Sequence, residues 1–157
     1  MRGTNMSRLL FIALVSTSSA ILPAQTGDKS CCEMKVVPAA DAPARLAVTV
    51  TNVGAPAVGV LRTSPYRDFG ISVKTGTGGE VDRNELGKRL LRQPWEFRRT
   101  YEELRTGESL SEELDLSEIF ELKSGTYKVT LTHDVYVGGV KGGTKVSLES
   151  TIELKIP

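Results

Sequence analysis

Cysteine occurs only twice in this sequence, at the adjacent positions Cys31 and Cys32, and histidine and tryptophan occur once each, as His133 and Trp95. Neighbouring cysteines cannot form a framework bridge across a core within one chain, so packing alone must hold the fold. A single histidine excludes the paired-histidine helix of a zinc peptidase. Charge of one sign is also missing: 20 Lys and Arg meet 19 Asp and Glu for a net charge of +1, which leaves no global field for nucleic acid or an anionic membrane. After residue 15 there is no long apolar run, so no later segment is expected to span a membrane.

What is present begins with an export signal. Residues 1–8 carry Arg2 and Arg8 and no acid, residues 9–15 are uniformly apolar, and Ser19, Ala20 and Ala24 are small. Basic, apolar and small in that order is a cleavable signal peptide, assigned to residues 1–25 with cleavage near Ala20 or Gln25. The protein is therefore expected to be exported, to a periplasm or the extracellular medium. A lipoprotein signal would need cysteine directly after its small residues, whereas Cys31 follows Gly-Asp-Lys-Ser. About 130 residues then remain, enough for one domain with one core.

Residues 26–44 are rich in Gly, Lys, Ser, Pro and Ala, and Pro38 and Pro43 bracket the end of this stretch. They are expected to form a flexible, extended leader, with the domain occupying 45–157. Leu46, Val48 and Val50 alternate with Ala47, Thr49 and Thr51, the period of a half-buried strand, before the turn Asn52-Val53-Gly54. Residues 58–61 form a second short apolar run, and Phe69, Ile71 and Val73 a third strand. Tyr127, Val129, Leu131, His133, Val135 and Val137 share one face of a longer strand. Val146, Leu148, Ile152, Leu154 and Ile156 continue the pattern beyond the Gly138 to Gly143 loop, which predicts a long terminal hairpin with one polar face.

Helical periodicity is confined to 83–91 and 95–104, interrupted by Pro94. Short strands separated by turns predict an all-β fold, an immunoglobulin-like antiparallel β-sandwich preceded by the signal peptide. Leu110, Leu114 and Leu116 suit one core, and the consecutive Glu112 and Glu113 suggest a bulge where the alternation slips. Residues 117–122 fit one helical turn. Gly125 then gives tight entry to a strand in which Tyr127 suits a tyrosine corner, its hydroxyl returning to backbone just upstream.

The stretch LRTGESLSEELDLSEIFELKSGTYKVTL, with LAVTVTNVG and VDRNELGKR, resembles the β-sandwich domain that precedes the catalytic domain in deuterolysin-like and peptidyl-Lys metalloendopeptidases. The similarity covers 46 to about 132. It implies a sandwich module without its enzyme, because those peptidases carry His-Glu-x-x-His in a separate domain.

Each chemical candidate has a structural counterpart. His133 lies on the apolar face of its strand without a nucleophile motif, so it is read as a core histidine bonded to backbone or water rather than a base. Cys31 and Cys32 with Met34 offer soft ligands, but too few for a metal site. A vicinal disulfide, an intermolecular bridge and reduced thiols all stay open. Arg89, Arg92, Trp95, Phe97, Arg98, Arg99 and Tyr101 form the densest basic and aromatic cluster, either a surface for a partner or a plug at one end of the sandwich. The glycine-rich runs 76–79 and 138–143 lack the context of a phosphate loop and are read as hairpin turns.

No catalytic set, metal or cofactor is therefore expected, and nucleic acid is not an expected partner. The chain is expected to be a non-enzymatic exported module that binds a protein or cell-surface partner. The alternative is a secreted peptidase inhibitor or peptidase-associated regulatory domain.

Overall fold

The computed structural model describes residues 31–92 and 100–157. The signal peptide assigned to 1–25 lies outside them. Two antiparallel sheets share one core. The first sheet holds β1 (Cys32–Pro38), β2 (Arg45–Asn52) and β6 (Ser109–Asp115), in the order β1-β2-β6. In the second, β7 (Gly125–Val137) pairs along its whole length with β8 (Thr144–Ile156). The opposite edge of β7 carries two strands end to end, β3 (Ala57–Leu61) and β4 (Phe69–Thr75), and β5 (Tyr101–Arg105) lies outside β3.

The alternation in β7 sorts as its sequence predicts: Tyr127, Val129, Leu131, His133 and Val135 are buried, and the intervening side chains are not. Tyr127, Val129, Leu131 and Val135 join Leu46, Val48, Val50, Leu110 and Leu114 of the first sheet in the common core. At about 25 cal/mol per Å² of apolar surface removed from water, this interdigitated layer is the main stabilising contribution.

Three local expectations are corrected. The stretch expected as a leader contains β1, which pairs residue for residue with β2 from Cys32 opposite Asn52 to Pro38 opposite Leu46. Cys32, Met34 and Val36 turn inward while Glu33 and Lys35 stay outside, so a strand pattern hides behind the sulfur chemistry of its inward residues. Second, residues 101–105, expected within a helical stretch, form β5. Pairing with β3 overrides the helix propensity of Glu-Glu-Leu-Arg and buries Leu104.

Third, β6 has no bulge at Glu112 and Glu113, because its register with β2 runs unbroken from Ser109 to Asp115. Glu112 shares the inward parity of Leu110 and Leu114 yet meets a cation. Its carboxylate lies 3.3 Å from Arg62, which also bonds Glu102 of β5 at 2.6 Å. The slip in polarity is an ion bridge between the two sheets.

The predicted helix at 83–91 is α2 (Glu85–Arg92). Asn84 caps it, its Oδ1 accepting from Gly87 N at 3.0 Å while its Nδ2 donates to Glu118 O at 2.9 Å. Gly87 permits the close docking, since a Cβ there would stand 2.3 Å from the Ile119 carbonyl oxygen. Beyond β6, a single 3-10 turn (Leu116–Glu118) leads toward β7.

Candidate functional site

The break between β3 and β4 is the most irregular feature of the second sheet. From Val135 to His133, β7 advances two residues, while the facing chain advances nine, from Val60 to Phe69. The extra residues, 62–68, leave the sheet and return through one helical turn, α1 (Pro65–Asp68). Pro65 suits the first helical position, where no N–H is needed and φ is already near helical. Asp68 closes the excursion: its Oδ2 accepts from Thr63 N at 2.6 Å and Ser64 N at 2.8 Å.

His133 fastens the same point to β7. Its Nδ1 lies 2.9 Å from the Asp68 carbonyl oxygen, an acceptor only, so Nδ1 carries the hydrogen; the ring stacks on Phe69 at 4.6 Å. The three buried side-chain atoms with no partner among the described residues are Thr63 Oγ1, Asp68 Oδ1 and His133 Nε2, all from this one cluster. Burial raises the Asp68 carboxyl above its ordinary range, and the Thr63 and Ser64 N–H donors with the His133 and Arg67 charges offset only part of that. Tyr66 ties α1 to the first sheet: its hydroxyl donates to Glu118 at 2.6 Å and accepts from Asp115 N at 3.2 Å. Burial, followed by the Glu118 contact, pushes that phenol up to about 12.

Between this excursion, α2 and the start of β4 lies a cavity of about 330 Å³. Asp68, Phe69, Ile71, Arg83, Leu90 and Leu91 are among its lining residues. Arg83 is its distinctive group. One guanidinium nitrogen donates to Ile71 O at 2.9 Å, and the guanidinium carbon lies 4.7 Å from the centre of the Phe120 ring. Among the described residues no carboxylate pairs with it, and burial lowers its pKa. The acids nearby are engaged. Asp134, also on the cavity, meets Lys145 at 2.7 Å and accepts from Ser147; burial alone would raise it, and these two partners outweigh burial and lower it. The cavity therefore offers a half-buried cation beside an apolar helix wall.

Of the basic and aromatic residues singled out from the sequence, Arg89, Arg92 and Tyr101 are not among those lining this cavity. Arg89 and Arg92 are exposed on α2, whereas Tyr101 begins β5 and meets Tyr136 edge-on at 6.1 Å. Trp95, Phe97, Arg98 and Arg99 lie outside the described residues. Gly125 enters β7 at a φ of 153°, a value open to glycine. The Tyr127 hydroxyl donates to Lys123 O at 2.8 Å and accepts from Lys123 N at 2.9 Å. The sulfurs of Cys31 and Cys32 are 3.5 Å apart as thiols; burial, then the hydrogen bond and charge of Cys31, pushes the Cys32 thiol up to about 12. Among the described residues no group of three metal-ligating side chains converges, and no helix is long and apolar enough to cross a membrane.

Asp68, Arg83 and Tyr66 were not singled out from the sequence. The available signal was Ser64-Pro65 with an acid four residues after the serine, a helix start where an uninterrupted strand would otherwise be drawn. No protein-family model, curated protein or solved structure matches this chain.

Proposed function

We propose that this chain is an exported, non-enzymatic immunoglobulin-like module that binds a protein or surface partner. Two features support the immunoglobulin-like assignment. The strand orders β1-β2-β6 and β8-β7-β3-β5 follow the two-sheet plan of such domains, and the Tyr127 hydroxyl returns to backbone at the corner before β7. Export rests on the order of basic, apolar and small residues in 1–25. A structural role for the only histidine is supported by its bond to Asp68 O and its stack on Phe69.

The observation that carries binding is the half-buried Arg83 on the wall of the cavity beside β4, which pairs with no carboxylate among the described residues. A partly desolvated cation that meets no counter-charge among the described residues is stabilised when a partner brings an anion. Crosslinking capture from the cell envelope and medium tests this with the mature protein. A protein or surface component enriched by the folded chain and competed by excess unlabelled chain is the expected result. Enrichment no greater than that of the heat-unfolded chain contradicts binding. A parallel variant with Trp95, Arg98 and Arg99 changed to Ala asks whether the basic and aromatic cluster contributes.

The second reading is a secreted peptidase inhibitor or regulatory domain. It rests on the resemblance read from the sequence, over 46 to about 132, to the accessory domain of the metalloendopeptidases. Inhibition assays across the classes of secreted peptidase test it, and a flat response throughout removes it.

A further inference from the structure

Among the described residues, the outer edge of β4 is covered over only part of its length. Residues 79–81 fold back along it, with Thr75 N donating to Gly79 O at 2.8 Å and Val81 N to Val73 O at 2.9 Å. The chain then leaves the edge, and the backbone of Arg83 bridges to Phe120 instead. The side chain of Arg83 reaches back to cap Ile71 O. In an antiparallel ladder the N–H and C=O of one residue point to the same side, and the side alternates along the strand. Ile71 N–H and Phe69 C=O therefore turn outward with Ile71 C=O, and no backbone bond from 76–84 reaches either group. The Phe69 N–H is already taken by Pro65 O. Among the described residues, one donor and one acceptor, flanking Gly70, are left without a backbone partner at the mouth of the cavity.

Resting on the binding-module reading above, we propose that this cavity takes the carboxylate-bearing end of an extended peptide. The peptide adds to the β4 edge through Ile71 N–H and Phe69 C=O and sets its terminal carboxylate on Arg83. Strand addition supplies main-chain bonds, and pockets beside the edge supply selectivity. The donor and acceptor around Gly70 match the widely spaced pair of an antiparallel partner, and a small organic acid would leave them unused. Leu91, 67% exposed, and Leu90 form an apolar wall for a side chain of the peptide. A guanidinium that has given one N–H to Ile71 O keeps donors for a charge-assisted bond to carboxylate. Charge sets the sign of the ligand: Lys145 neutralises Asp134, and backbone N–H groups hold the Asp68 carboxylate, so among the described residues Arg83 meets no counter-charge.

The test uses fluorescence anisotropy with hexapeptides bearing apolar side chains near a free carboxylate terminus, beside the same peptides ending in amide. The acids are expected to bind the mature protein, and the amides about tenfold more weakly or worse. Peptide binding is expected to slow hydrogen exchange at Ile71 N–H. Leu91→Asp lies on an exposed position, so it is expected to leave the unfolding temperature unchanged and to abolish binding; Arg83→Lys is expected to weaken it, Arg83→Gln more so. Equal affinity for acids and amides, no acid-ended hexapeptide bound, or full binding by Leu91→Asp overturns the inference. If a partner captured from the envelope binds Leu91→Asp as well as the unmutated chain, the module is a binder and this cavity is not its site. If neither partner nor peptide binds, both readings fail together.

Discussion

The imidazole of His133 donates from Nδ1 to the carbonyl oxygen of Asp68 across 2.9 Å, and through that bond the central strand β7 holds the end of the excursion that splits its neighbour. His133→Phe keeps the ring against Phe69 and deletes the donor. The change is expected to cost about 1–2 kcal/mol, the penalty of a buried carbonyl left without a partner. Hydrogen exchange at Thr63 and Ser64 should quicken with it. Unchanged stability in urea together with unchanged exchange at both amides contradicts the clamp.

Acid titration isolates Asp68. Burial holds its carboxyl above the ordinary range in the folded protein, so the folded state keeps a proton at a pH where the unfolded chain has released it. The resulting contribution to stability is full below the unfolded value and is lost as pH rises through the folded value. Asp68→Asn cannot titrate and keeps an amide oxygen for Thr63 and Ser64. The unfolding temperature of the unmutated protein minus that of the variant is expected to fall as pH rises through and above the ordinary carboxylate range of about 4. A flat or rising difference would show that the carboxyl is not raised.

Asn52 ends β2 fully buried, and its amide is satisfied on both sides. Nδ2 donates to Ala55 O at 2.8 Å and Leu104 O at 2.9 Å, and Oδ1 accepts from Ala55 N at 2.9 Å. Asn52→Ala strands all of these groups at the junction of the two sheets. A loss of about 3 kcal/mol is expected in chemical denaturation. A loss below about 1 kcal/mol, the scale of a single exposed contact, contradicts that role.

Tyr127→Phe removes one hydroxyl that both donates to and accepts from the backbone of Lys123. On the order of 1 kcal/mol or somewhat more should be lost, with the ring still packed. Thermal unfolding identical to the parent argues against the corner.

The adjacent thiols should behave differently. With the Cys32 thiol at about 12 and its side chain buried, the thiolate fraction at pH 8 is on the order of 10⁻⁴. Iodoacetamide added to the reduced, folded protein is expected to label Cys31 and to reach Cys32 only after denaturant. Equal labelling in peptide mapping would contradict the burial of Cys32.

What the sequence determined by itself is the strand pattern. Side chains in an extended chain alternate between faces whatever their surroundings, so Leu46 to Val50, Phe69 to Val73 and the run from Tyr127 to Val137 could be placed on their faces in advance. Tyr127 and Gly125 were legible because a corner needs their particular chemistry at close spacing. The candidate site was not legible, because no short window of sequence contains it. Arg83 is notable only because the described residues bring it no carboxylate, and Asp68 only because His133, 65 residues away in sequence, meets its carbonyl. Glu112 looked like a defect in a strand until Arg62 arrived from the other sheet, and β1 looked like a leader until β2 paired with it. Alternation is a local property of the backbone, whereas counter-charges, uncovered edges and pairing partners are properties of distance in space, and only the tertiary structure decided those.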